Sequence, residues 1–209
     1  MESTTSTVRR LDDVVGKIAP SKFSHFVLKT SEFSEMVRWY LTVLSAKVVQ
    51  ANERLCFMTY DQEHHRVAIV NVPDLAKRDA SICGVDHVSY TYSTLAELLA
   101  TYRRLRAEGI VPRWSINHGV TTSLYYEDPD GNRVELQFEN FPTDEKLNAY
   151  FQSDEFARNT LGDEFDPEEM IRLYEAGAPI EELTRGRGNE FGQAQISILT
   201  QMGLTPGSS

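Results

Sequence analysis

Apolar residues recur along this chain with two alternating periods. From Ser31 they fall at Phe33, Met36, Val37, Tyr40, Leu41 and Leu44, the i, i+3, i+4 spacing of an amphipathic helix. Ser31 is the expected N-cap. The stretch FSHFVLKT before it reads as a strand. After it come AKVVQA, RLCFMTY and HHRVAIVNV, three strand-like runs separated by polar or turn-prone residues. The order then repeats. GVDHVSYTY reads as a strand, and STLAELLATYRRLRAEG as a helix with Leu95, Leu98, Leu99, Tyr102 and Leu105 on one face. Gly109 is its expected C-terminal stop. VPRWSIN, TTSLYYED and NRVELQFENF follow, the last after the turn DPDGN.

The pattern is therefore β-α-β-β-β, twice. It predicts an α+β protein of paired modules. Residue-level register agrees: FSHFVL matches VDHVSY, aligning His25 with His87, and HRVAIV matches NRVELQ, aligning Ala68 with Glu135. Four segments result. Residues 1–20 form an N-terminal arm with a short amphipathic run (Leu11, Val14, Val15, Ile18). Residues 21–80 and 81–142 are the two modules, and 143–209 a helical C-terminal extension. Within the extension, Asp166, Pro167 and Glu169 read as N-cap, first helical residue and capping-box partner. The final GLTPGSS reads as loose.

Composition narrows the partners. The 209 residues carry a net charge of −10, which disfavours nucleic acid and anionic membrane surfaces. No run approaches the ~20 apolar residues of a membrane span. The N-terminus lacks the apolar core of a secretory signal. The two cysteines, Cys56 and Cys83, read as reduced, packed thiols of a cytoplasmic protein.

Strand alternation sorts the chemistry. Val134, Leu136 and Phe138 share one face, leaving Glu135 on the other. The same parity separates His25 from Phe26 and Leu28, and His87 from Val88 and Tyr90. Two imidazoles and a carboxylate make a facial triad suited to non-haem Fe(II). Zn(II) also accepts such a set, so ligand type alone does not fix the metal.

Over Phe23–Phe141 the chain resembles the vicinal oxygen chelate superfamily, and within it the small type I extradiol (catechol-cleaving) dioxygenases. The carriers are SHFVL, HHRVAI, VDHVSY and SLYYEDPDGNRVELQ. The resemblance implies a cup-shaped half-barrel with a C-terminal helical extension, around one metal held by His25, His87 and Glu135. Fe(II) is implied, with Mn(II) or Zn(II) as alternatives. A small aromatic vicinal diol and O2 are the implied partners. Glyoxalase-type members carry a fourth ligand where this chain has Ala68.

The adjacent histidines His64 and His65 match the family's HHxxA motif, which implies an acid/base residue. The motif favours His65, whereas strand parity counted back from Ala68 favours His64. Tyr125, ten residues before Glu135, is implied to hydrogen-bond substrate. His118 is a further candidate donor whose slot does not match the larger dioxygenases. The rivals are a metal-dependent isomerase or lyase of the same fold and a metal-free aromatic-binding or cyclising protein. A cupped module pair with a helical arm points to a homodimer.

Overall fold

The computed structural model describes residue 16 and residues 18–76 and 83–186. The amphipathic run of the N-terminal arm, Ile18 excepted, and the final GLTPGSS lie outside these. The first module runs β1 (Phe26–Thr30), α1 (Phe33–Val43), β2 (Lys47–Ala51), β3 (Leu55–Thr59) and β4 (Val67–Asn71). The second runs β5 (His87–Tyr92), α2 (Leu95–Ala107), β6 (Trp114–Asn117), β7 (Thr121–Glu127) and β8 (Arg133–Glu139). The extension supplies α3 (Asp144–Phe151), α4 (Asp154–Arg158), β9 (Asp163–Glu164), α5 (Pro167–Glu175) and α6 (Ile180–Leu183). No helix among the described residues is long and apolar enough to cross a membrane.

The two sheets repeat one topology, β1-β4-β3-β2 and β5-β8-β7-β6, with the first strand of each at an edge. The register repeats as well. β1 and β4 are parallel with Val27 opposite Ala68, and β5 and β8 are parallel with Ser89 opposite Glu135. Each partner pair lies two residues after a module's histidine, so Ala68 and Glu135 are equivalent positions.

Both sheets and both long helices share one core. Met36, Tyr40 and Val43 from α1 pack with Met58 and Ile69, and Leu98 and Leu105 from α2 pack with Leu124 and Leu136. Each fully buried aliphatic side chain contributes about 1.5–3 kcal/mol. Two polar links tie the halves. The buried Tyr40 hydroxyl donates to Asp128 Oδ2 at 3.1 Å. Arg104 of α2 donates to the carbonyls of Thr42 and Val43 in the last turn of α1, where a cation also complements the helix dipole.

Local signals held unevenly. Thr94 caps α2 in a full capping box with Glu97. Ser31 does not cap α1: Glu32 occupies the N-cap, without a side-chain cap bond, and its N–H donates to Thr30. Asp166 caps α5 as expected, with Pro167 in its first turn, while the Glu169 carboxylate holds Arg172. Cys56 is buried but Cys83 is exposed, so only one thiol is packed.

The extension is not wholly helical. β9 adds a fifth strand beside β6, with Asn117 opposite Asp163. Met170 and Ile171 enter the common core. Two glycines let the extension close onto the second module. Gly119 has φ +80° and the Tyr150 hydroxyl fills the place of its absent β-carbon; Gly162, at φ +106°, lies against the Asn117–His118 backbone.

Candidate functional site

The second module assembles a continuous polar chain. β5 starts at His87 and Glu135 lies mid-β8, one strand over. Their side chains converge, with His87 Nε2 3.3 Å from Glu135 Oε2. On its other side, His87 Nδ1 lies 2.8 Å from Asp86 Oδ2. Glu135 is 5% exposed. Burial pushes its carboxyl up, but hydrogen bonds from His87, Ser89, Ser123 and Tyr125 outweigh burial and hold it at about 2. The bond to Glu135 lifts His87 to about 9, burial opposing and Asp86 adding to the rise.

Tyr125 extends the chain. Its hydroxyl lies 2.9 Å from Glu135 Oε1 and 3.1 Å from His118 Nε2. Burial, and then the Glu135 charge, push the phenol well above its usual range. His118 Nδ1 lies 2.5 Å from the Leu161 carbonyl. A carbonyl only accepts, so Nδ1 carries the proton. Burial lowers the His118 pKa, which leaves Nε2 bare near neutrality. Tyr125 thus has one proton and two acceptors to serve. Trp114 flanks the pair, its ring centroid 5.2 Å from Tyr125 and 5.8 Å from His118.

The first module gathers the other three histidines. His25 precedes β1, and its ring lies 4.2 Å from His65 and 6.4 Å from His64. His64 and His65 face each other with Nδ1 atoms 2.6 Å apart, so one of those nitrogens donates to the other. The pair sits in the loop before β4, where strand parity does not apply. His65 also packs on Phe57, at 4.5 Å. Burial lowers the His65 pKa, with His25 and His64 adding to the effect.

A brace fixes this cluster. Arg66 donates through Nε and one terminal nitrogen to Asp61, and through the other to the carbonyls of Phe23 and Ser24. The loop of the histidine pair is thereby tied to the residues just before His25.

The described residues therefore form two polar clusters: His87, Glu135, Tyr125 and His118 in one, His25, His64 and His65 in the other. Among the described residues, no three His, Cys, Asp or Glu side chains are grouped to hold a metal ion. A cleft of about 790 Å³ lies between the extension and the far ends of β5 and β8; none of the seven residues lines it. Trp114 packs against Tyr125, whereas Phe23 and Val27 are open to solvent. Sequence reading missed Asp86, Arg66 and Leu161. Asp86 was the detectable one, being next to a histidine; Leu161 acts through its backbone and leaves no sequence signal.

Comparison with known proteins places the chain in a family. Residues 22–136 match the family model described as Glyoxalase/Bleomycin resistance protein/Dioxygenase superfamily. Biphenyl-2,3-diol 1,2-dioxygenase 2 of Rhodococcus globerulus is 47% identical over 79% of this chain and 88% of its own length. Biphenyl-2,3-diol 1,2-dioxygenase 3 of the same organism is 44% identical over 88% of this chain and 97% of its own. A solved lactoylglutathione lyase from Agrobacterium tumefaciens is 20% identical, with 57% of this chain and 94% of that one covered and a TM-score of 0.47. By the family-model match and the two biphenyl-2,3-diol dioxygenases, the chain belongs to the glyoxalase/bleomycin resistance protein/dioxygenase superfamily.

Proposed function

We propose that this protein is an extradiol dioxygenase that uses O2 to cleave the ring of a vicinal aromatic diol, with a biphenyl-2,3-diol-type compound as the first substrate to test. The observation that carries the reading is the convergence of His87 and Glu135 beside Tyr125 and His118. The identity of 44–47% to biphenyl-2,3-diol dioxygenases supports the same reading.

His25, His87 and Glu135 are the proposed metal ligands. By donor chemistry the set suits a divalent metal, Fe(II) foremost and Mn(II) or Zn(II) after it. The donor types fit, but their placement within one chain does not, because His25 stands with His64 and His65 rather than with the pair. Residues 21–80 and 81–142 are the two proposed modules, each supplying part of the set.

The chain's own groups have assignable roles. Tyr125 donates to Glu135 and keeps that carboxylate turned toward His87. His118, held neutral by burial and anchored by Leu161, offers Nε2 as the alternative acceptor for the Tyr125 proton. His65 is the proposed acid/base residue and His64 the alternative, since imidazole exchanges a proton near neutrality.

Protein purified without oxygen and reloaded with Fe(II) should consume one O2 per biphenyl-2,3-diol and yield a coloured ring-opened keto acid, the phenyl-bearing carbon becoming the ketone and its hydroxylated neighbour the carboxylate. Glu135→Gln should abolish uptake. Absence of O2 uptake with every vicinal diol tried would overturn the reading.

A further inference from the structure

We infer that Trp114 is the platform for the second ring of an aryl-substituted diol, and that it sets this chain's preference for two-ring over one-ring substrates. The inference rests on the dioxygenase reading above and adds the residue that selects among diols. A row of opposed residues crosses the second sheet, from Glu135 on β8 through Tyr125 on β7 to Trp114 on β6. Residues directly opposite in paired strands share a face. Trp114 therefore stands on the face that carries Glu135, with Tyr125 between them. Two strand spacings separate β6 from β8, about 10 Å. A single ring bound by its oxygens at His87 and Glu135 stops short of that distance, whereas a second ring bonded to it covers it.

The indole is held as a wall. Its Nε1–H donates to Glu164 Oε1 at 2.8 Å, and Glu164 belongs to β9, the strand that the extension adds beside β6. The Tyr125 ring lies 5.2 Å away at an interplanar angle of 33°, and His118 meets the indole nearly at right angles at 5.8 Å. Trp114 is still only half-buried. A half-exposed indole can satisfy its N–H with water, so the bond to Glu164 serves to fix the ring plane. Stacking on a ligand ring needs a fixed plane, because aromatic pairs gain from particular geometries beyond the area they bury. Glu164 is thus a positioning residue, and the extension reaches the site at a second point besides Leu161.

Selectivity tests this directly. Trp114→Ala, Glu164→Ala and Glu164→Gln are loaded with Fe(II) without oxygen, and kcat/KM is measured for biphenyl-2,3-diol and for catechol. Trp114→Ala should lower the ratio of the two about tenfold, the scale of one lost aromatic stacking partner. Glu164→Ala should lower it by a smaller factor. Glu164→Gln, whose amide oxygen still accepts the indole proton, should keep it. If Trp114 merely supports Tyr125, both diols lose equally; an unchanged ratio would therefore sink the inference. Circular dichroism checks folding, and should Trp114→Ala fail to fold, Glu164→Ala against Glu164→Gln decides by the same ratio. Calorimetric titration with biphenyl-2-ol and phenol, neither a vicinal diol, gives a readout without turnover. The wild type should hold biphenyl-2-ol more tightly than phenol, and Trp114→Ala should lose most of that margin. That result with no diol cleaved sinks the dioxygenase reading and leaves the platform standing, whereas a margin that survives Trp114→Ala overturns the platform.

Discussion

At the residue scale, the decisive detail is that one phenolic proton has two claimants. Tyr125 can satisfy Glu135 or His118, not both. Glu135 keeps bonds from His87, Ser89 and Ser123 when the hydroxyl is removed, so Tyr125→Phe should spare binding of a divalent metal at the proposed site. Loss of a positioned donor should still lower kcat about tenfold to hundredfold, with KM for the diol little changed; steady-state O2 uptake measures both. Pairing of His87 with Glu135 was readable from strand parity and the repeat, because alternation is a local rule. Where His25 goes was not readable. Parity fixes the face of a strand but not which other sheet will meet that face.

At the scale of elements, two braces hold the two clusters in shape. The first is Arg66 between Asp61 and the Phe23 and Ser24 carbonyls. The hydrogen bond from Arg66, partly opposed by burial and aided by the Glu63 backbone and Thr59, holds Asp61 at about 2 against an ordinary 3.8. Its contribution is therefore full above pH 4, roughly, and fades as pH falls toward 2. Asp61→Asn should cost around 1 kcal/mol at neutral pH, a modest loss because the pair is partly hydrated. The gap from wild type should close below pH 3, roughly, in urea titrations across that range. The second brace is the loop ending in β9. Gly162→Ala places a β-carbon 2.0 Å from the Asn117 carbonyl oxygen at a φ of +106°. A loss of about 1–3 kcal/mol in unfolding free energy is expected. The ring ¹⁵N shifts of His118 should also change as the Leu161 carbonyl withdraws. β9 itself was hidden in the sequence: two acidic residues have no strand propensity, and only pairing with β6 makes them one.

At the scale of the whole molecule, the repeat was the legible feature, because duplication writes the same period and the same histidine twice. The joining of the halves was not, since it depends on Tyr40 reaching Asp128 across 88 residues. Tyr40→Phe should cost about 1 kcal/mol of stability, read from thermal or urea unfolding. Asp128 retains the Asn132 side chain as a partner, so the fold should survive.

The Tyr150 oxygen nests where position 119 carries only hydrogen. A single methyl there would act as a wedge, prying the extension from its seat. Gly119→Ala should open residues 143–160 to protease and slow turnover, although it alters no proposed ligand. The proposed site would then be tuned from a spot that offers no functional group at all.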